Sequence, residues 1–233
     1  MTKPAARRIV GVISSRADLR RALSMRTPPD LFELRLDGLI RIIDTVHATI
    51  EQLPSPLIIT ARDPAEGGAN NLSSKQRRAL LLEFLPHAAY VDVELRAAPF
   101  FREVLRTAHT RKIQSIISFH DLRGTPSAMR LDHLASAARS LGAAILKFAT
   151  RTDTTSQMHR LLDFFDRQGD PTKIVAMGIG KLGPACRREL FRRGCVLNYA
   201  PIGRRQVAGQ LTIAQIRKLE RRLTSSRPAA PPN

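Results

Sequence analysis

The chain has 233 residues, 43% of them hydrophobic, which is material for one large α/β domain or two small ones and excludes wholesale disorder. Its formal charge is +18, from 38 Lys+Arg against 20 Asp+Glu, and only seven of the basic residues are lysine, at positions 3, 75, 112, 147, 173, 181 and 218. Such a charge raises nucleic acid or an acidic membrane surface as partners, but no apolar run reaches the ~20 residues of a membrane helix.

Short β-branched runs alternate with helical patterns along the chain. Ile9–Ile13 is the first strand candidate; it is too short to follow the basic N-terminus as a secretory signal. Leu31–Leu36, Leu57–Ala61, Tyr90–Leu95, Ile113–Phe119, Ala144–Ala149, Lys173–Met177 and Cys195–Tyr199 follow. Between them lie helices such as Lys75–Leu85, with Ala79, Leu80, Leu82 and Phe84 expected to be apolar opposite Gln76 and Arg77, and Met129–Leu141, with Leu131, Leu134, Ala138 and Leu141 on one side. Pro28, Pro54, Pro86 and Pro171 stop helices just before strands. Eight repeated βαβ units with short loops predict an α/β fold, a single-domain (β/α)8 (TIM) barrel over residues 1–224. The rival, a doubly wound open sheet, calls for a glycine-rich loop after an early strand, and Ser14-Ser15-Arg16-Ala17 is no such loop. The remainder, 225–233, is Pro-rich and expected to be disordered or extended. Cys186 and Cys195 fit neither a zinc spacing nor a disulfide framework, so a reduced, cytoplasmic compartment is expected.

Polar residues gather where the barrel would open. At the C-terminal ends of barrel strands, inward residues line the mouth. In FELRLD, Glu33, Arg35 and Asp37 share a face; in IITARDPAEGG, Thr60 and Arg62 do, and a flexible loop with Glu66, Gly67 and Gly68 is expected to follow; Asp92 and Glu94 share a face, as do Ser118 and His120. The outer faces of a parallel barrel are covered by helices, so inward charges must pair or bind something. Lys147 lies in an apolar strand between Leu146 and Phe148. Dehydration there is expected to favour the neutral amine, a nucleophile towards ketones and aldehydes, although a structural pairing with Asp92 or Glu94 is equally compatible. With His120 beside it and several inward arginines, the set suggests a carbonyl substrate bearing an anionic group. The histidines lack metal-ligand spacing, so no metal is expected.

Taken in order, ELRLD (33–37), TARDPAEGG (60–68), VDVEL (91–95), SFHD followed by TP (118–126), LKFAT (146–150), MGIGKLGPACRREL (177–190) and AGQ (208–210) resemble the type I 3-dehydroquinate dehydratases. The resemblance runs from the first strand to about Leu223. It implies a (β/α)8 barrel, commonly a homodimer, that uses no cofactor and dehydrates 3-dehydroquinate to 3-dehydroshikimate in the shikimate pathway. On it, Lys147 matches the lysine that forms a Schiff base with the substrate ketone, and His120 the general acid/base. Glu66 and Asp92 match acids near the histidine; Glu33, Arg35 and Arg62 match residues that hold the ring hydroxyls; Arg187 matches the carboxylate-binding arginine, with Arg188 one residue away as the alternative; Gln210 matches the glutamine of the closing loop.

The sequence departs from the family pattern in that loop, where Gln206 stands for a serine and Ala208 for a proline, and Cys186 replaces the serine before the carboxylate-binding arginine. A class I imine-forming aldolase would share the lysine but calls for a phosphate-binding glycine-rich loop after the seventh or eighth strand, which is missing. A relative turned binding protein for polyanions would use the charge. However, Arg77, Arg78, Arg139, Arg221 and Arg222 fall on helices, where a solvated face is expected, and two Tyr with no Trp offer no stacking platform. Neither a nucleic acid nor a membrane is expected as a partner.

Overall fold

The computed structural model describes residues 7–171, 173–203 and 208–225. Eight strands alternate with helices: β1 (Arg8–Ile13), α1 (Arg16–Leu23), β2 (Leu31–Arg35), α2 (Leu36–Leu39), α3 (Ile43–Thr49), β3 (Leu57–Thr60), α4 (Ser74–Phe84), β4 (Ala88–Glu94), α5 (Arg102–Thr110), β5 (Gln114–Asp121), α6 (Ala128–Ser140), β6 (Ile145–Arg151), α7 (Thr155–Arg167), β7 (Ile174–Ile179), α8 (Gly183–Arg192), β8 (Leu197–Pro201) and α9 (Ile213–Ser225). All pairings are parallel, in the order β7-β6-β5-β4-β3-β2-β1-β8, which makes the predicted barrel, nearly closed. At the β7/β8 seam, where no ladder forms among the described residues, the Cys195 thiol donates to the Ala176 carbonyl (3.7 Å). None of the described helices is long and apolar enough to cross a membrane.

Each strand divides its side chains between two environments. On β6, Phe148 points outward and meets Phe164 of α7 edge-on, with ring centroids 4.8 Å apart, while Lys147 points into the barrel. The apolar layer between strands and helices holds Phe32, Phe84, Phe101, Phe148 and Phe164, all fully buried. Burial of a large apolar side chain contributes about 1.5–3 kcal/mol, so this layer supplies the main stabilising term. The helices start on local signals that the sequence carries: Ser73 with Gln76, and Thr154 with Gln157, form reciprocal capping boxes at α4 and α7.

Several expectations need correction. The strand β2 ends at Arg35; Asp37 lies in the first turn of α2, not on the strand face with Glu33. The strand β5 extends through Asp121, so His120 belongs to it, and β8 begins two residues later than expected. The apolar stripe of α4 is Leu80, Leu81 and Phe84, with Ala79 exposed and Leu82 half-buried. Arg77 shares that inward stripe and is 1% exposed, not solvated: it reaches over the strand ends to Asp63 (2.7 Å) and Glu94 (3.0 Å) and lies 5.1 Å from the Phe101 ring centroid. Charge alone placed it outside, whereas its helical phase and two buried carboxylates place it inside. Arg78, Arg139, Arg221 and Arg222 are exposed. On the α6 side, Leu141 follows the helix and is partly exposed, and Ala135 takes its place in the stripe.

Candidate active site

A cavity of about 420 Å³ opens at the C-terminal ends of the strands. Glu33, Arg35, Arg62, Glu66, His120, Lys147, Arg187 and Gln210 all line it, and Asp92 lies just beneath, bonded to Lys147. Of the predicted site residues, Gln206 alone falls outside the described residues, together with Val207; Ala208 is described and lines the cavity.

Lys147 is 3% exposed. Its Nζ donates to Asp92 Oδ2 (2.8 Å) and Glu33 Oε1 (3.2 Å) and lies 4.1 Å from the centroid of the Tyr199 ring. The apolar surround expected from Leu146 and Phe148 is therefore on the wrong side: those neighbours face the helices, and the lysine faces two carboxylates. Glu94, the other candidate partner, is taken by Arg62, Arg77 and the backbone N–H of Asp63. Glu33, Asp92, Lys147 and Tyr199 come from β2, β4, β6 and β8, the alternate strands that fill one layer of such a barrel.

Arg62 ties the site floor together. It pairs with Asp92 (2.9 Å) and Glu94 (3.3 Å) and donates to Ser118 Oγ (2.7 Å), which in turn donates to Asp92 Oδ1 (2.6 Å). Burial opposes the charge of Arg62, but Asp92, Glu94 and Glu33 outweigh it and hold the guanidinium above its ordinary range. Burial likewise opposes ionisation of Asp92, and Arg62 and Lys147 reverse it, so that carboxylate stays charged. Asp92 stands near enough to the histidine for its charge to favour the imidazolium, as expected, but its bonds go to Lys147, Arg62 and Ser118.

Glu66 is the acid that touches His120. Its Oε2 accepts from the His120 backbone N–H (3.1 Å) and meets the ring Nδ1 at 2.9 Å. The expected flexible loop is a tight turn: Asp63 caps it through the N–H of Ala65 (2.8 Å), Gly67 takes the left-handed conformation at φ 87°, and a Cβ on Gly68 would lie 2.1 Å from the Arg62 carbonyl oxygen. Asp37 secures the turn from outside by accepting from the backbone N–H groups of Arg62 (3.0 Å) and Ala69 (2.8 Å) while gripping Arg35 through both oxygens (2.9 and 2.8 Å). Burial disfavours its charge, but these bonds prevail and hold Asp37 below the usual carboxylate range.

Burial, with the positive charges of Arg62 and Lys147 adding to it, pushes His120 well below its ordinary 6.5. Burial also pushes Glu66 up, to about 7. Both shifts favour uncharged forms, so the contact is a hydrogen bond around a neutral imidazole more than an ion pair. With Nδ1–H donated to Glu66, Nε2 carries a lone pair, the form a general base needs.

Arg187, not Arg188, lines the cavity; Arg188 is exposed. The Arg187 Nε donates to the Gly178 carbonyl at the end of β7 (2.9 Å), and no carboxylate pairs with Arg187 among the described residues. Burial lowers it to about 10, still well above neutrality. A half-buried cation whose hydrogen bonds go to backbone carbonyls suits an anion from outside. Burial raises the neighbouring Cys186 thiol to about 12, so it is a packing group and not a nucleophile.

Two cavity residues escaped the sequence reading. Tyr199 gave no motif, because an aromatic in a strand is ordinary core. Arg151, two positions beyond Ala149 on the inward face of β6, lines the rim and is tied to Asp153 (2.5 Å); the four-residue spacing from Lys147 was its only signal.

An amine, an imidazole and an arginine with no carboxylate partner among the described residues, converging at the C-terminal mouth of eight parallel strands, define the class: a (β/α)8-barrel enzyme. A family model described as type I 3-dehydroquinase matches residues 11–225. The 3-dehydroquinate dehydratase of Methanothermobacter thermautotrophicus is 30% identical over 191 residues, 82% of this chain and 83% of that protein. That of Desulfotalea psychrophila is 30% identical over 195 residues, 81% of this chain and 84% of that protein. Among solved structures, the 3-dehydroquinate dehydratase of Geobacillus kaustophilus superposes with a TM-score of 0.83 at 25% identity, covering 97% of this chain and 93% of that one. The type I enzyme of Clostridium difficile gives 0.84 at 21% identity, covering 97% and 96%, a likeness of fold. The chain belongs to the type I 3-dehydroquinase family and is an enzyme of the hydro-lyase class.

Proposed function

We propose that this enzyme converts 3-dehydroquinate to 3-dehydroshikimate and water through an imine on Lys147, with His120 as general acid and base. The observation that carries the reading is the placement of Lys147 Nζ in the same cavity as His120 and Arg187. Arg187 takes the substrate carboxylate, and Glu33, Arg35 and Arg62 hold ring hydroxyls. The amine passes its proton to Nε2 of His120 and attacks the C3 ketone; after a proton moves from nitrogen to oxygen, His120 returns its proton to the carbinolamine hydroxyl, which leaves as water to give the protonated imine. Nε2 of His120 removes the C2 proton, and the C–H electrons move to the imine nitrogen as an enamine. The enamine pushes out the C1 hydroxyl, which takes a proton from His120 and leaves as water. Hydrolysis of the conjugated imine consumes one water, balancing the one released when it formed, and frees Lys147. The net change is loss of one water.

Glu66 accepts Nδ1–H throughout, which fixes the tautomer and steadies the imidazolium formed in mid-reaction. Gln210, buried at the cavity wall, covers the substrate. Borohydride added with 3-dehydroquinate tests the whole reading: an adduct on Lys147 by mass spectrometry, with absorbance from the conjugated product in untreated samples, is the expected result. Unmodified protein and no absorbance would overturn it. With the family goes the expected homodimer, measured by sedimentation equilibrium.

A further inference from the structure

The Tyr199 side chain is the fourth member of the layer that holds the amine, and the dehydration scheme gives it no task. It is 5% exposed and borders the cavity. Its buried hydroxyl has no hydrogen-bond partner among the described residues, a situation that costs about 1–3 kcal/mol. Burial, with Glu33 and Asp92 adding to it, raises the phenol well above its ordinary value, so it stays protonated and is no proton carrier. What the position does use is the ring: the Lys147 Nζ stands over its face, 4.1 Å from the centroid. Aromatic faces are electron-rich and attract cations at this distance, more strongly when water is excluded.

We propose that Tyr199 is a positioning residue for the nucleophile: its ring face holds the cationic forms of Lys147, first the ammonium and then the protonated imine, against Glu33 and Asp92. The two carboxylates approach Nζ by hydrogen bonds, while the ring supplies a wall that consumes no N–H. An imine nitrogen keeps a single N–H, so it can no longer donate to both carboxylates as the ammonium does. The ring contact needs no hydrogen and survives that change. The ring therefore favours accumulation of the iminium, and this inference rests on the reading of Lys147 as the imine-forming residue.

The test replaces Tyr199 with phenylalanine and with mono-, di- and trifluorinated phenylalanines, which keep the ring's shape and progressively withdraw electrons from its face. Each protein is treated with 3-dehydroquinate and limiting borohydride, and the rate of Lys147 adduct formation is measured. A stepwise fall with fluorine number is expected, within the about 2- to 30-fold range of a buried cation–ring contact. Affinity for quinate, which has the carboxylate and ring hydroxyls but a hydroxyl in place of the ketone, should stay within about twofold across the series. Equal trapping across the series overturns the proposal. So does a fall in trapping matched by an equal fall in quinate affinity, which would make the ring a packing element of the cavity. Tyr199→Leu, if it folds, should trap as poorly as the most fluorinated ring. Wild-type protein that traps no adduct refutes the dehydratase reading itself, and the Tyr199 inference with it.

Discussion

Replacing Glu66 with glutamine separates the stability of the site from its chemistry. The carboxyl is 6% exposed, and burial, with Glu94 adding to it, raises it from the ordinary 4.5 to about 7 against the opposing pull of Arg62. The folded protein therefore binds a proton that the unfolded chain has released between pH 4.5 and 7, and stability falls as pH rises through that window. At about 1.4 kcal/mol per decade of proton affinity, the full effect is about 3 kcal/mol. Glu66→Gln cannot ionise. Its stability relative to wild type should thus climb by about 3 kcal/mol between pH 4.5 and pH 8, whatever constant cost the amide adds. Both proteins keep His120, so its titration enters both curves. The assay is urea unfolding of the two proteins side by side across that range. Above pH 7, where Glu66 is ionised, turnover should fall in the same variant, because a neutral amide steadies the transient imidazolium less well than a carboxylate. A stability difference flat to within about 1 kcal/mol across the range would show that the burial of Glu66 has been misjudged, and with it the neutral character of the His120 contact.

Further outcomes follow from the same geometry. His120→Ala should still give a borohydride adduct, slowly, while product formation falls by about 10²- to 10⁴-fold, read by single-turnover absorbance. Arg187→Ala should raise KM by about 10- to 100-fold, the worth of a charge-assisted pair, with a smaller change in kcat, whereas exposed Arg188→Ala should leave both within about twofold. Arg77→Met should lower stability by about 3–5 kcal/mol in denaturant unfolding, because Glu94 and Asp63 lose a buried partner; a loss below about 1 kcal/mol would mean that water replaces the guanidinium without penalty.

Much of the site was legible because barrel strands obey a period of two. Glu33 and Arg35, Asp92 and Glu94, and Ser118 and His120 each occupy alternate positions, and an inward charge in a covered barrel needs a partner or a ligand. That rule failed where a strand stopped. Asp37 is two residues beyond Arg35, but the chain turns into α2 after Arg35, so its carboxylate clamps the Glu66 turn from behind. The rule also says nothing about helices, which is why Arg77 was assigned to solvent.

The sequence by itself determined the order of elements, the barrel and the residue types at its mouth, because these depend on local periodicity and on motifs contiguous in the chain. It left open which arginine of the Arg187–Arg188 pair faces inward, since adjacent helical residues differ by about 100° and the start of α8 sets the phase. It also left open the partners of Lys147, which lie 114 and 55 residues away in sequence. Only closure of the barrel decided those: stagger between strands brings β2, β4, β6 and β8 to one level, and there the amine meets Glu33, Asp92 and the face of Tyr199.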